Sequence, residues 1–500
     1  MVASGLRLQR GHDLAEVHRL IHGGWQAGPD LVWAGAHGIP AERLPRPHAD
    51  DLFSSPSTSS DLITPDGVLR ADAVSGDWLS TPERLVAWAQ AARECAARQE
   101  ESLRQHTPAA RVSAAAESAA ALLCVELEHD GLPIDRAALS ALITQAAGPR
   151  PVSPADEVSV RAVRDAEVLR HVPGREATDL RNPAQVKDLL AAIGVDVPNT
   201  RKWVLEPYRH VHPVVDALLS WRARERIATT YGWRWLDAQV GADDRLRGRW
   251  TACDGGAGRM TADQGLHNLP APLRPGVAAH AGRVLVRADL GQIEPRVLAA
   301  VSGDPAFARA AQDNDIYAPV ASRLGIDRAT AKIAVLAAMY GQRSGAAADA
   351  LAGLERAFPT AMGLLDDAYA VGLRGASLRT HGGRLLHTRA GADSPNPGVD
   401  LALDRARGRF ARNAVIQGAA AEFFKGWAAL VRLGLRPFEA EIVLCLHDEL
   451  LLHVPVAHAD DVVNLIHDAL NRAAAAFYPG SDVRFVADVA VVSRWSQAKE

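Results

Sequence analysis

A short polar triplet, His447-Asp448-Glu449, separates two apolar runs of β-forming residues at 443–446 and 450–454. This pattern predicts a β-hairpin with a charged tip. Most tight turns use Gly, Asn or Pro, whereas this one places two carboxylates beside an imidazole. An Asp fixed between two buried strands is suited to binding a divalent metal ion. For the triplet alone, a solvated turn is the alternative explanation.

A second candidate metal ligand, Asp289, ends the apolar run Val284-Leu285-Val286-Arg287-Ala288, and a helix is predicted after it, around 299–301. Two Asp residues on separate strands could share a pair of Mg²⁺ ions, the arrangement used for in-line phosphoryl transfer. Oxygen-only ligands suit Mg²⁺, which keeps much of its coordination for waters and substrate phosphates. The sequence therefore predicts a site for two Mg²⁺ ions, with Mn²⁺ as an alternative ion.

A helix is predicted between these two sites by Asp327 at an N-cap position, an Ala-rich interior and a terminal Gly341. Every fourth residue of this helix belongs to one stripe about 18 Å long: Arg328, Lys332, Leu336 and Tyr340. Two cations followed by an aliphatic and an aromatic side chain suit a nucleoside triphosphate, with its phosphates at the charged end. An amphipathic surface helix without a ligand is the alternative.

In this order, the three segments resemble motifs A, B and C of the family A (DNA polymerase I-type) DNA polymerases. The family patterns DYSQIELR, RxxxKxxxFxxxYG and HDE appear here at 289–296, 328–341 and 447–449. The resemblance covers about residues 115–500. It is strongest to an actinobacterial Ala- and Arg-rich subgroup often described as bifunctional 3′–5′ exonuclease/DNA polymerases. The implied fold is a multidomain α+β right hand, with an antiparallel palm sheet and helical fingers and thumb.

The resemblance divides the chain into five segments. Residues 1–108 are expected to be a degenerate exonuclease-like remnant or an N-terminal extension, because no Asp-x-Glu pair for a proofreading nuclease occurs there. The start of the polymerase region and the thumb follow at 109–249, the palm with motif A at 250–326, the fingers at 327–400 and the palm with motif C at 401–500. A linker is expected at 54–60 and a flexible connection at 389–400. Helices are predicted from Pro82 to Arg104 and from Asn182-Pro183 onward, and the glycines at 255–258 are predicted to let the backbone approach a nucleic-acid strand closely. Asp165-Ala166-Glu167 is interpreted as surface charge on a helix.

The implied reaction is template-directed addition of a deoxynucleotide to a primer 3′-OH, without proofreading. The residues implied in catalysis are Asp289, Asp448, Glu449 and Lys332, with Asp289, Asp448 and the Leu290 carbonyl holding the metals. The residues implied in dNTP binding are Arg328, Lys332, Leu336, Tyr340, Glu294, Gln292 and Leu290, with Glu294 as a gate against ribose. The residues implied in primer–template binding are Arg226, Arg259, His267, Asn268, Arg409, Asn413, Gln417 and His447.

Some positions depart from the family pattern. Leu290-Gly291 replaces Tyr-Ser, so the sugar gate loses an aromatic neighbour. Leu336 replaces Phe or Tyr, which removes a flat platform for the base, and His267 replaces Gln. Arg226 stands where the family has a primer-contacting Lys, while Arg222 and Arg224 are either phosphate contacts or solvated. None of these changes removes a metal ligand or a phosphate cation, so an active enzyme is expected.

Composition constrains the class of protein. Fifty-five Lys and Arg against 59 Asp and Glu give a net charge of −4, so any nucleic-acid footprint must be local. Residues 201–259 carry eleven Lys or Arg against seven Asp or Glu. The four cysteines form no CxxC pair, so neither structural zinc nor disulfides are expected. With no apolar leader and no run near 18 apolar residues, we expect a monomer in the cytoplasm (the bacterial nucleoid or a phage-infected cell), with primer–template DNA and dNTPs as partners and no membrane contact.

Three alternatives remain open. A phage-type RNA polymerase shares the palm, but Glu294 argues against it because that group has a small residue there. A polymerase with residual 3′–5′ exonuclease activity would need the missing Asp-x-Glu pair. A non-catalytic DNA-binding protein descended from a polymerase would be indicated by loss of a metal ligand or phosphate cation, and the sequence retains all four: Asp289, Asp448, Arg328 and Lys332.

Overall fold

The computed structural model of the chain describes residues 2–44, 61–70, 73, 78–341, 348–388 and 401–498. The linker predicted at 54–60 and the connection predicted at 389–400 lie outside these residues. The chain forms two compact units. The first consists of Met1–Asp130, Arg249–Ala262 and Val286–Val491, and the second of Gly131–Gly248, Asp263–Leu285 and Val492–Glu500.

The described residues form eighteen α-helices and ten β-strands. The helices are α1 (Leu14–His22), α2 (Pro29–His37), α3 (Pro82–Arg104), α4 (Ala110–Asp130), α5 (Arg136–Ala147), α6 (Pro154–Leu169), α7 (Pro183–Ala192), α8 (Lys202–Leu205), α9 (Pro213–Thr230), α10 (Trp233–Gln239), α11 (Ile293–Ser302), α12 (Pro305–Ala310), α13 (Tyr317–Leu324), α14 (Arg328–Tyr340), α15 (Ala348–Ala357), α16 (Pro359–Leu373), α17 (Leu401–Gly434) and α18 (Ala459–Phe477). The strands are β1 (Leu132–Pro133), β2 (Arg245–Leu246), β3 (Trp250–Thr251), β4 (Thr261–Ala262), β5 (Arg283–Leu290), β6 (Leu378–Arg379), β7 (Leu385–Leu386), β8 (Glu441–Leu446), β9 (Glu449–Pro455) and β10 (Ala487–Val492).

A four-stranded sheet in the order β10-β5-β9-β8 forms the centre of the first unit. The predicted hairpin is confirmed, because β8 and β9 pair antiparallel with Leu446 opposite Glu449. Its turn, however, consists of His447 and Asp448 alone. Glu449 is not at the tip as predicted but is the first residue of β9, and it is buried. The strand order makes β5 the neighbour of β9, although more than 150 residues separate them along the chain.

The long helix α17 supplies much of the core of the first unit, where it packs against α4, α16 and α18. Most of its residues from Ala411 to Val431 are buried, as expected for a helix that is apolar nearly all round. Its buried Lys425 donates to Glu117 of α4 at 2.6 Å, and Arg384 pairs with the same carboxylate at 2.6 Å. A buried charge of this kind is tolerated because it is paired and hydrogen-bonded.

The predicted helix at 327–341 is confirmed as α14. Asp327 is its N-cap and accepts a hydrogen bond from the Thr330 amide, while Gly341 ends it in the left-handed conformation. Arg412 of α17 donates from Nε to the Ala338 carbonyl at 2.6 Å and from Nη1 to Asp366 of α16 at 2.5 Å. The carboxyl end of α14 is therefore bound by α17, and the same arginine is held by α16.

The N-terminal segment is helical where it is described. The helical pattern predicted from Pro82 to Arg104 is confirmed as α3. Among residues 2–44, 61–70, 73 and 78–130, the only β-type pairing is an isolated bridge between Ile63 and Leu69. The segment belongs to the same compact unit as the sheet. Its assignment as an exonuclease-like remnant stays a prediction, as do the other four functional segments.

The second unit is built mainly from α5–α10, around a core that includes Leu190, Leu218 and Trp221. The predicted start of a helix at Asn182-Pro183 is confirmed, because Asn182 caps α7. Asp165-Ala166-Glu167 lies on α6 with its carboxylates partly exposed, as predicted, but Asp165 also makes tertiary contacts. It accepts from Arg181 at 2.7 Å and from the Trp221 indole at 2.9 Å, so it holds α6 against α9.

None of the helices within the described ranges is both long and apolar enough to cross a bilayer. The four cysteines are buried free thiols.

Candidate active site

The two predicted metal ligands lie at the ends of neighbouring strands. The Leu290 amide, at the end of β5, donates to the Asp448 carbonyl in the hairpin turn at 2.8 Å. Asp289 therefore lies beside the turn that carries Asp448, and 27% of its side chain is exposed. The structure thus places two Asp residues that are far apart in the sequence at neighbouring backbone positions, at an end of the strands where the Asp289 side chain is partly exposed.

A buried arginine that the sequence analysis did not single out lies among the carboxylates. Arg287 donates from Nε to Glu449 at 2.8 Å, from Nη2 to Asp289, and from Nη1 to Asp488 of β10 at 3.4 Å. Burial alone would lower the pKa of Arg287, but Glu449 and Asp289 raise it above the usual value. A signal was present in the sequence: a charged residue interrupts an apolar strand two positions before Asp289, and alternate residues share a face.

A second cluster of titratable side chains lies around Arg259. Its Nη2 donates to Glu294, the predicted sugar gate, at 3.0 Å. Burial raises the pKa of Glu294, and the charge of Arg259 opposes that rise. Desolvation and the charge of Arg259 together lower the pKa of His447 in the hairpin turn. Desolvation and Glu294 raise the pKa of Tyr340, with Arg259 opposing them. Residues predicted from three separate motifs therefore lie within electrostatic range of one guanidinium group.

The loop that presents Arg259 is held by hydrogen bonds from its own backbone amides to the Asp254 side chain. Asp254 accepts hydrogen bonds from the amides of Gly256 at 2.9 Å and Gly258 at 2.8 Å. Gly258 has a φ of +80°, and a Cβ there would lie 2.3 Å from Nε of the buried Arg384. Glycine is required at this position for both reasons. The Gly-rich loop predicted to allow close backbone approach is therefore ordered by internal contacts.

The connection from β5 to α11 is held from both sides. Gln292 adopts the left-handed conformation at φ 58°, donates to Asp315 at 2.9 Å and accepts from the Ile316 amide at 2.8 Å. Arg296 is fully buried and donates to a ring of backbone carbonyls: Gly291, Ala311, Asp313, Asn314 and Arg484. Asp289 and Glu294, on either side of this turn, are consequently held on one rigid connection.

The predicted stripe on α14 faces outward. Arg328 and Lys332 are exposed, Leu336 is half-buried, and Tyr340 is 41% exposed. Arg328 forms an ion pair with Asp315. Lys332 has no ion-pair partner among the residues that the structure describes. One cation of the stripe is thus already engaged, and the other is available.

A polar row on α17 follows the predicted spacing. Arg409 is exposed and Asn413 and Gln417 are half-buried, although most of their neighbours on this helix are buried. Asn413 Oδ1 is enclosed without a hydrogen-bond partner in the described part of the chain. Arg409 packs at the end of α14, where its Cγ lies 3.3 Å from the position that a Cβ on Gly341 would take.

The other predicted DNA contacts lie in the second unit. Arg226 donates to the Asn268 carbonyl at 3.4 Å, and the Tyr231 hydroxyl donates to the same carbonyl at 2.7 Å. Asn268 is exposed and the adjacent His267 is half-buried. Arg222 instead donates to the Thr200 carbonyl, and Arg224 pairs with Glu167. The structure therefore groups Arg226 with Asn268 and the adjacent His267 within the second unit.

The donors at the strand ends fit a hard divalent cation. Two Asp carboxylates and the Leu290 carbonyl offer only oxygen, and Mg²⁺ typically uses one or two carboxylates together with waters and substrate phosphates. No group of three or more His, Cys, Asp and Glu residues with the geometry of a metal site occurs among the described residues. Two carboxylates and one carbonyl match an ion whose coordination is completed by waters and substrate phosphates.

The chain resembles known proteins in sequence. Residues 166–358 and 389–497, more than half of the chain, match DNA polymerase family A. The thermostable DNA polymerase I of Thermus thermophilus is 30% identical over an alignment of 331 positions that covers 60% of this chain and 38% of that protein. The DNA polymerase I of Deinococcus radiodurans is 29% identical over an alignment of 349 positions that covers 60% of this chain and 35% of that protein. The matched part of the chain thus spans less than two fifths of these relatives.

A solved structure, the POL domain of Pol1 from M. smegmatis in complex with DNA primer-template and dNTP, has a TM-score of 0.64 to this chain. It is 22% identical, and the match covers 83% of this chain and 76% of that one. The predicted fold is confirmed as that of a polymerase domain, with helices around small antiparallel sheets. The chain belongs to the family A DNA polymerases.

Proposed function

We propose that this chain is a template-directed DNA polymerase that adds a deoxynucleotide to a primer 3′-OH, without proofreading. The observation that carries the proposal is the hydrogen bond between the Leu290 amide and the Asp448 carbonyl, because it holds Asp289 beside the turn of Asp448. Family membership and the likeness to a polymerase domain support it.

Asp289, Asp448 and the Leu290 carbonyl are the groups that would hold two Mg²⁺ ions, with Mn²⁺ as an alternative. When bound, such ions would lower the pKa of the primer hydroxyl and neutralise charge on the pyrophosphate, which leaves as the hydroxyl oxygen bonds to the α-phosphorus of the dNTP. Glu449 is buried against Arg287. We therefore assign Glu449 the support of Asp289, by way of Arg287, rather than direct contact with an ion.

Arg328 and Lys332 would bind the β- and γ-phosphates, where negative charge develops during transfer. Lys332 is exposed and ready for this role. Arg328 must first leave Asp315, and a triphosphate carries more charge than the single carboxylate it replaces. Tyr340 and Leu336 follow at the uncharged end of α14, beside the base, and Gln292 supports this site by holding Asp315.

Glu294 would exclude the ribose 2′-hydroxyl by crowding, with Arg259 holding its carboxylate in place. His447 would contact the primer end. Arg409, Asn413 and Gln417 would contact the template and primer from the first unit, and Arg226, His267 and Asn268 from the second. Polar and cationic side chains of this kind bind the phosphate backbone and groove edges of DNA.

The absence of proofreading is proposed from the missing Asp-x-Glu pair, and the helical character of the described N-terminal residues agrees with it. The chain is proposed to act as a monomer in the cytoplasm, where its DNA and dNTP substrates are found.

Primer extension by Asp448→Asn tests the proposal. Loss of a metal ligand removes several kcal/mol of transition-state stabilisation, so extension should fall by about 10³-fold or more. The Kd for primer–template DNA should change by less than about threefold, because Asn keeps the shape of the turn. Asp460→Asn, at an exposed position of α18, is the matched control and should extend normally. Undiminished extension by Asp448→Asn would contradict the metal assignment.

The same assay separates the alternatives. Extension with rNTPs rather than dNTPs would identify an RNA polymerase. If the wild type degrades single-stranded DNA and the polymerase-site variants still do so, the chain has a separate exonuclease activity. DNA binding without any extension would indicate a non-catalytic DNA-binding protein.

A further inference from the structure

The carboxylates at the sheet edge share a buried arginine. Three adjacent strands each contribute one acidic side chain to it: Asp488 from β10, Asp289 from β5 and Glu449 from β9. The Arg287 side chain is 5% exposed and that of Glu449 is 3% exposed, so this pair is held away from water. The Asp488 side chain is 80% exposed and contributes far less.

Arg287 bridges a buried carboxylate and a proposed metal ligand. A guanidinium group carries a permanent charge and presents its donors in a rigid fork. Here one side of the fork binds Glu449 and another donor binds Oδ2 of Asp289. That oxygen belongs to a proposed metal ligand. The guanidinium and a divalent cation therefore require the same carboxylate.

Electrostatics sets the direction of the effect. A positive charge within hydrogen-bonding distance of Asp289 repels an incoming cation and occupies one of its donor oxygens. It also keeps Asp289 and Glu449 in fixed positions while no ion is present, because like charges so close together would otherwise separate. The first effect weakens ion binding, and the second orders the donors.

We propose that Arg287 is a positioning residue that serves as the internal counter-ion of this cluster, holding Asp289 before a divalent ion binds and lowering the affinity for that ion by competing for Asp289. The inference rests on the proposed metal site. Its consequence is that the nucleotide-free protein binds divalent ions weakly, and that the negative charge of an incoming triphosphate supplies the missing attraction. Ion and nucleotide binding would thereby be coupled.

Mn²⁺ binding to the nucleotide-free full chain, followed by electron paramagnetic resonance, tests the competition without any turnover. Arg287→Gln keeps a hydrogen-bonding side chain but removes the charge, and should tighten the Mn²⁺ Kd about tenfold. Arg287→Lys keeps the charge and should stay within about threefold of wild type. Arg309→Gln, which removes an exposed arginine of α12, controls for net charge and should leave the Kd unchanged. An unchanged or weaker Kd in Arg287→Gln overturns the inference.

Removing Arg287 alone leaves Glu449 buried without its partner, which can unfold the protein. The double variant Arg287→Gln/Glu449→Gln removes both buried charges and is compared with Glu449→Gln alone, in which Arg287 still binds Asp289. The double variant should bind Mn²⁺ about tenfold more tightly than the single one, and equal affinities would overturn the inference.

Asp448→Asn distinguishes this inference from the proposed function. If Asp448→Asn loses Mn²⁺ binding but Arg287→Gln does not change the Mn²⁺ Kd, the proposed competition by Arg287 is wrong and the proposed metal site is supported. Mn²⁺ binding that is indifferent to Asp448 as well would overturn both.

Discussion

Two opposing influences act on the pKa of the buried Glu294 side chain. Burial favours its neutral form and raises its pKa, while the hydrogen bond from Arg259 at 3.0 Å stabilises the charged form. The side chain is 15% exposed, so it has little freedom to move aside for a larger sugar. Its volume, more than its charge, is therefore expected to exclude a ribose hydroxyl.

Glu294→Ala should raise the efficiency of ribonucleotide incorporation relative to deoxynucleotide by about 10- to 100-fold, the range over which steric pockets discriminate single groups. Single-nucleotide extension gives the ratio of kcat/KM for each rNTP and its dNTP. Glu294→Gln keeps the volume and should retain most of the selectivity. An unchanged ratio in the alanine variant would refute the gate, and equal relaxation in both variants would assign the effect to charge.

Helix α14 has a different role on each of two faces. Its inner face, which includes Ala331, Ala334 and Val335, is buried and fixes the helix to the unit. Its outer face carries the stripe that begins with Arg328 and Lys332. Since Asp315 already binds Arg328, the affinity for a triphosphate depends more on Lys332 than their equal charges suggest.

Lys332→Ala should therefore raise the KM for dNTP by about 10- to 100-fold, corresponding to the 1.5–3 kcal/mol of a hydrogen bond to a charged group. The Kd for primer–template DNA should change by less than about threefold. Steady-state extension and fluorescence anisotropy measure the two quantities. Ile333→Ala, the neighbouring position that is 61% exposed but off the stripe, is the matched control. A larger effect on DNA than on dNTP would contradict the placement of the phosphates.

Local sequence pattern predicts most of the helices and strands that carry the site. The hairpin, α14, α3 and the cap of α7 could be predicted because apolar periodicity, caps and turns are set by neighbouring residues. Arg287 could not be placed from sequence, because its partner Glu449 lies 162 residues away on a strand that pairs only in the folded sheet. The role of Asp165 was missed for the same reason, since Arg181 and Trp221 reach it from other elements.

The N-terminal segment carries a buried carboxyl group, Glu16 of α1, within electrostatic range of Glu117 on α4. Glu16 of α1 is 6% exposed, and burial together with the charge of Glu117 on α4 raises its pKa from 4.5 to about 7, against the opposing charges of Arg19 and Lys425. A carboxyl group whose pKa is higher in the folded state binds its proton more strongly there. Its contribution to stability is therefore complete below about pH 4.5 and is lost as the pH rises to about 7.

Glu16→Gln, which mimics the protonated form, should consequently be more stable than wild type at pH 8 and nearly equal to it at pH 5. The difference between the two pH values should be on the order of 2 kcal/mol in the free energy of unfolding. Urea unfolding followed by circular dichroism at both pH values measures it. Glu355→Gln, at an exposed position of α15, controls for the loss of a charge. A Glu16→Gln stability difference that is the same at pH 5 and pH 8 would show that Glu16 does not titrate between them.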